Sequence, residues 1–129
     1  MLRTAVLGMG WAGTRHVEAI RELGRKLSVE CIVDNDAAFL ERKAGELGVG
    51  KTYTDYADAL ADPNIDAVSI CLPHNLHAEV AITAAEAKKH ILCEKPIAIT
   101  VDDATRMIEA AVAHGVKLYV AENVANTCL

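Results

Sequence analysis

Residues 90–100 read "HILCEKPIAIT", with an acid, a base and a proline placed together at the end of an apolar run. Ile91, Leu92 and Cys93 suit a buried strand. Glu94 and Lys95 do not suit burial, and Pro96 removes a backbone donor and ends further pairing. A carboxylate beside an ammonium at a strand end could orient a substrate or manage a proton, or it could be a surface pair at a turn. A second stretch with chemical content is "GMGWAG", residues 8–13. Gly8 would permit a tight turn, Gly10 would let backbone approach a pyrophosphate, and Gly13 would let a helix pack closely on a strand. Free N–H groups in the first turn of that helix, with its dipole, favour an anion. Asp34 stands 21 residues after Gly13, where a carboxylate accepts hydrogen bonds from an adenosine ribose. Such a carboxylate repels a 2′-phosphate, and Asn35 and Asp36 add no positive charge. NAD is therefore favoured over NADP. Asp34 or Asp36 could also cap the next helix, and the two roles are compatible.

These groups need elements to hold them. Thr4–Leu7 is predicted as a first strand, closed by Gly8. Apolar positions Ala12, His16/Val17, Ala19/Ile20 and Leu23 predict a helix over 11–23, stopped at Gly24. A strand over 29–33 and a helix over 37–47 follow, the helix ending at Gly48. "KTYTD" is a short strand, and 56–60 a small helix ended by "ADPNID". The apolar run 67–72 reads as a strand covered on both faces, and 77–89 as an alanine-rich helix. After the strand that leads into Glu94, a helix is predicted over 101–114, with Asp102 and Asp103 in its first turn and Gly115 at its end. "VKLYVAEN" is the last strand. This alternation predicts an α/β fold, a doubly wound parallel sheet of six strands in the order 3-2-1-4-5-6 with helices on both faces. Ligands of such sheets lie beyond the carboxyl ends of the strands, where Glu94 and Lys95 would face a crevice.

The bulk properties fit this reading. A chain of 129 residues makes one domain, able to bury roughly two-thirds of its unfolded surface. Hydrophobic residues make up 52% and aromatic ones 4%, so the core is aliphatic. A net charge of −5 argues against a nucleic-acid surface. No run approaches the ~20 apolar residues that span a bilayer. Met1 leads into an apolar segment without a signal-peptide pattern, which predicts a cytoplasmic protein. Cys31, Cys71 and Cys93 fall in predicted strands, and with Cys128 they read as reduced thiols. No metal-ligand spacing is present.

The glycine motif, "DPNIDAVSICLPHNLHAEVAITAAEAKKHILCEKPIA" and the strand ending "AEN" together resemble the N-terminal domain of the Gfo/Idh/MocA oxidoreductases. That group includes glucose-fructose oxidoreductase and inositol dehydrogenase. The order "IDAVSICLP", His77, "EKP" is far more specific than any glycine loop, and the resemblance covers essentially the whole chain. It implies a dinucleotide-binding domain over 1–129 and a further α/β domain for substrate contacts and oligomer formation, absent from this chain. It implies NAD held by Gly8, Gly10, Trp11, Ala12, Gly13 and Asp34, then by Leu72 and Pro73 beside the ribose and nicotinamide half. Asn75 and His77 are implied at the start of the next helix, near the cofactor, although His77 could instead be satisfied by backbone contacts. Glu94 and Lys95 match the family's EKP, with Lys95 implied as the catalytic group at the substrate's reacting oxygen. Asn123 matches a polar position at the end of the last strand. His74 has no counterpart and reads as exposed loop. "VANTCL" departs from the aromatic and arginine that the family often shows downstream.

The resemblance implies hydride transfer between a nicotinamide and a sugar-like or polyol substrate, with a homo-oligomer as partner state. Two other readings remain. One is an NAD(H)-binding module or redox sensor without turnover. The other is an S-adenosylmethionine methyltransferase, which also pairs a glycine loop with an acid after the second strand.

Overall fold

A computed structural model describes residues 1–121 of the chain. Six parallel strands, in the order β3-β2-β1-β4-β5-β6, form one sheet. They are β1 (Leu2–Leu7), β2 (Leu27–Val33), β3 (Thr52–Tyr53), β4 (Ala67–Ile70), β5 (His90–Glu94) and β6 (Leu118–Ala121). The helices are α1 (Trp11–Glu22), α2 (Ala37–Leu47), α3 (Tyr56–Ala61), α4 (His77–Glu86) and α5 (Val101–His114). The predicted fold class and strand order are therefore the observed ones.

Strand periodicity divides the core into two layers, because alternate side chains leave opposite faces of the sheet. Val6 and Ile32 meet Met9, Val17 and Ile20 of the α1 side, with Leu40 from α2. Ala5, Leu7, Val68, Ile70, Ile91 and Cys93 project the other way onto Val80 and Ala84 of α4 and Met107 of α5, with Ala110 packed against them. Cys31 and Cys93 are buried as small core residues. Burial pushes both thiols up to about 12.

Helix ends follow their side chains. Asp36 caps α2 by accepting from Phe39 N, and Thr100 caps α5 by accepting from Asp103 N. Gly48 and Gly115 close those helices in the left-handed region, at φ 67° each. Several boundaries differ from the sequence prediction, among them β1, which starts at Leu2, β3, which is only Thr52–Tyr53, and β6, which starts at Leu118. β4 stops at Ile70, where Cys71 N donates to Leu7 O and the chain turns into Pro73. α4 stops at Glu86, since Lys88 adopts φ 63° and turns Lys89 inward. The buried Lys89 ammonium donates to the carbonyls of Asp62 and Ile65, at 2.8 and 2.6 Å. β2 begins two residues early because Leu27 pairs with Leu2.

Two carboxylates secure the end of the sheet away from the crevice. Asp62 accepts from Asn64 N, Tyr53 OH and Lys51 Nζ, which together hold it down to about 2. Asp66 accepts from the Arg3 guanidinium and from Arg3 N and is likewise held to about 2. Unfolded, both groups return toward the ordinary 3.8 and bind protons that the folded chain excludes. Their stabilisation is complete above pH 4 and disappears as the pH falls toward 2. Urea midpoints measured across that interval should drop, and Asp62→Asn should flatten the decline. An unchanged slope in the variant would remove Asp62 from the effect.

Candidate cofactor crevice

Beyond the carboxyl ends of β1, β2 and β4 lies a cleft of about 920 Å³. The glycine loop forms its floor. Gly8 sits at φ +95°, and a Cβ there would meet Cys71 O at 2.6 Å. At Gly13 a Cβ would lie 1.8 Å from Gly8 O, so the third glycine is required by the approach of helix to loop. Gly10 is different, because no described residue lies within 4 Å of its Cβ position. Its bare Cα lines the cleft, leaving a cradle that a side chain would partly fill. Gly10 is also the N-cap of α1 and offers no side-chain acceptor. The first-turn N–H groups of Trp11, Ala12 and Gly13 precede the first helical bond, from Thr14 N to Gly10 O. No acidic residue occupies that turn. These residues fit a dinucleotide's pyrophosphate. Trp11 is 80% exposed, with the Arg15 guanidinium 5.7 Å above its ring, and is not part of the cleft wall.

Asp34 stands across from this loop. One carboxylate oxygen accepts from Met9 N and the other from Asp36 N, each at 3.0 Å. Each oxygen keeps a second lone pair, and the residue lines the cleft. Asp34 thus ties the glycine loop to the end of β2 while Asp36 caps α2. Among the described residues, no lysine or arginine lines the cleft.

Leu72 and Pro73 form part of the wall, as does His74. His74 is exposed, in the turn His74–Leu76, but it belongs to the cleft and not to an uninvolved loop. Asn75 is exposed in the same turn and is not part of that wall. His77 is fully buried, its ring nitrogens each 2.9 Å from a carbonyl oxygen, Nδ1 from Pro96 O and Nε2 from Leu72 O. Both contacts are to backbone carbonyls, of which a neutral ring, with one N–H, can donate to one. It ties the end of β4 to the turn after β5 from behind. His74 and His77 meet edge to face at 5.6 Å.

Glu94 ends β5, and Lys95 follows it, exposed, in a turn whose Lys95–Pro96 bond is cis. Adjacency does not make them a pair. Glu94 Oε1 lies 2.6 Å from His16 Nε2 on α1, and His16 Nδ1 contacts Ser69 Oγ on β4. His16 and Ser69 were missed by sequence reasoning, which treated His16 as an apolar-face position. A ring nitrogen on the sheet-facing side of a helix is a usable signal, since it must find partners when buried. Met9 and Tyr56 on the cleft wall carried no such signal. Cys71 also lines the cleft, but burial pushes its thiol up to about 12, which leaves no thiolate for nucleophilic chemistry. Asn123 lies outside the described residues. Among the described residues, no helix is long and apolar enough to cross a membrane.

The family model for oxidoreductases of the Gfo/Idh/MocA type, NAD-binding Rossmann fold, matches residues 2–122. An uncharacterized oxidoreductase of Bacillus subtilis is 38% identical over 120 residues, covering 93% of this chain and 35% of the relative. The myo-inositol 2-dehydrogenase of Thermotoga maritima is 39% identical over 108 residues, covering 84% of this chain and 32% of that enzyme. Among solved structures, the WlbA dehydrogenase of Bordetella pertussis in complex with NADH and UDP-GlcNAcA superposes with a TM-score of 0.88 at 31% identity. That match covers 93% of this chain and 34% of the WlbA chain. The chain therefore spans about one third of the length of these relatives.

Proposed function

The chain belongs to the Gfo/Idh/MocA oxidoreductase family as its NAD-binding Rossmann domain, and from that premise we propose that the protein containing it transfers a hydride between NAD and a hydroxyl or carbonyl carbon of a sugar or polyol. The observation that carries this reading is one crevice combining a bare Gly10, a helix N-terminus without a capping side chain, and Asp34 opposite them. Inositol 2-dehydrogenases and a 1,5-anhydro-D-fructose reductase among the relatives support the substrate class. The relatives are about three times as long, which supports a second domain that supplies the remaining substrate contacts.

Bound nicotinamide supplies the redox chemistry. The chain's own residues bind, orient and handle charge. The N–H groups at the start of α1 hold the pyrophosphate, and Gly10 lets it approach. Asp34 accepts from the adenosine ribose hydroxyls and excludes a 2′-phosphate, for which the described residues of the cleft offer no lysine or arginine. Leu72 and Pro73 guide the other half of the cofactor along the end of β4. At the end of β5, the Lys95 ammonium polarises the substrate's carbonyl oxygen or stabilises the developing alkoxide, and relays its proton. By itself the domain binds NAD without turnover.

The test combines NAD titration of the domain with a screen of the full-length protein against sugars and polyols, following NADH formation. Asp34→Ser should weaken NAD binding by about 1.5–3 kcal/mol, the range for hydrogen bonds to a charged group. Its preference over NADP should narrow in parallel. Unchanged affinity for both cofactors would remove Asp34 from the site.

A further inference from the structure

His16 and Glu94 are 78 residues apart in sequence, yet they form the contact that secures the end of β5. The His16 side chain is 12% exposed and that of Glu94 is 27% exposed, so the pair lies at the rim and not in open solvent. Ser69 is 1% exposed. A buried hydroxyl of this kind reaches no substrate, so the serine, histidine and carboxylate are not a nucleophilic triad. Ser69 instead fixes the ring. With its O–H donating to Nδ1, the imidazole carries its proton on Nε2 and donates to Glu94. When the imidazole gains a proton, the same oxygen accepts from Nδ1–H. In both states each ring nitrogen keeps its partner. His16 lies one turn into α1, the helix whose N-terminus faces the crevice, so the contact links that helix to the strand end bearing Lys95.

We propose that His16 is a positioning residue for Lys95, holding the Glu94 carboxylate against α1 so that this charge does not fold onto the neighbouring ammonium. The inference rests on the catalytic reading of Lys95 given above. Among the described residues, no other group around Glu94 substitutes for His16. Cys71, just after β4, and Cys93 from β5 feel its charge, but burial keeps both thiols neutral, and among the described residues β6 pairs Ala121 with it. His77 from α4 is occupied by the carbonyls of Leu72 and Pro96. Without His16 the carboxylate is released beside Lys95, where an opposite charge favours the protonated amine.

The experiment measures acylation of the Lys95 amine against pH in the full-length protein, by peptide mass spectrometry with acetic anhydride as the probe. This reads the amine directly and needs no turnover. His16→Leu should move the Lys95 midpoint to higher pH and slow its labelling about three- to tenfold at a fixed pH below it. His16→Gln keeps an N–H for Glu94 and should label within about twofold of wild type. In parallel, kcat of His16→Leu should fall and its pH limb move the same way, with KM for NAD nearly constant. Wild-type labelling in His16→Leu overturns the proposal. A labelling shift without any movement of the kcat profile keeps His16 as a positioning residue and removes Lys95 from catalysis. Should His16→Leu not fold, Glu94→Gln decides the matter. Labelling unchanged in that variant supports a carboxylate already held away from Lys95, whereas several-fold faster labelling means the two were paired all along.

Discussion

Lys95→Met in the full-length protein should lower turnover by ~10²–10⁴-fold, the range for a positioned proton-transfer or electrostatic group. The methionine keeps a flexible chain of similar length and removes only the ammonium. Lys95 is exposed at the mouth of the sheet, so the substitution deletes no core contact and should leave the thermal midpoint nearly unchanged. NAD affinity should move little, because the glycine loop and Asp34 lie at the ends of β1 and β2. The diagnostic pattern is a fall in kcat and in kcat/KM by similar factors, with cofactor titrations close to wild type. Wild-type turnover in the variant would return Glu94, Lys95 and Pro96 to the role of a structural turn.

Gly13→Ala should act on a different quantity with comparable force. The added methyl would stand 1.8 Å from Gly8 O, and that neighbour is backbone, which cannot rotate aside as a side chain can. Helix α1 must move away from the loop by more than an ångström, or the loop must open. Overpacking of this kind costs ~1–3 kcal/mol and occasionally more, and a backbone clash belongs at the upper end. The same displacement carries the α1 N–H groups away from Gly10 and strains the bond from Met9 N to Asp34. NAD affinity should therefore fall at least about tenfold along with stability, since the anion site and the packing share one contact. Gly10→Ala is the control. Its Cβ meets none of the described residues, so stability should hold while NAD binding weakens. Equal loss of stability in both variants would mean that Gly10 has a packing role the geometry does not contain.

Local pattern determined the architecture of this protein. Alternating apolar runs and helical stripes are written in neighbouring residues, and the handedness of strand-helix-strand crossovers converts them into one strand order. The α2 and α5 boundaries were legible for the same reason, since Gly48 and Gly115 lie next to the ends they close. Gly8, Gly13 and Asp34 were legible because the distance between them along the chain is set by one strand-helix-strand unit. Tertiary structure alone decided the partners of the polar side chains. His16 looks like one member of an apolar helix face until α1 is laid across β4 and β5, which brings Ser69 and Glu94 to its two nitrogens. His77 looks like a crevice residue until the turn after β5 closes over it and supplies the Pro96 carbonyl. Lys89 looks like the end of an exposed helix until Asp62 and Ile65 present their carbonyls to it. A ring or an ammonium can satisfy its hydrogen bonds with any donor or acceptor that packing brings within 3 Å. Periodicity records which face a residue occupies, but it holds no record of what the opposite surface will offer.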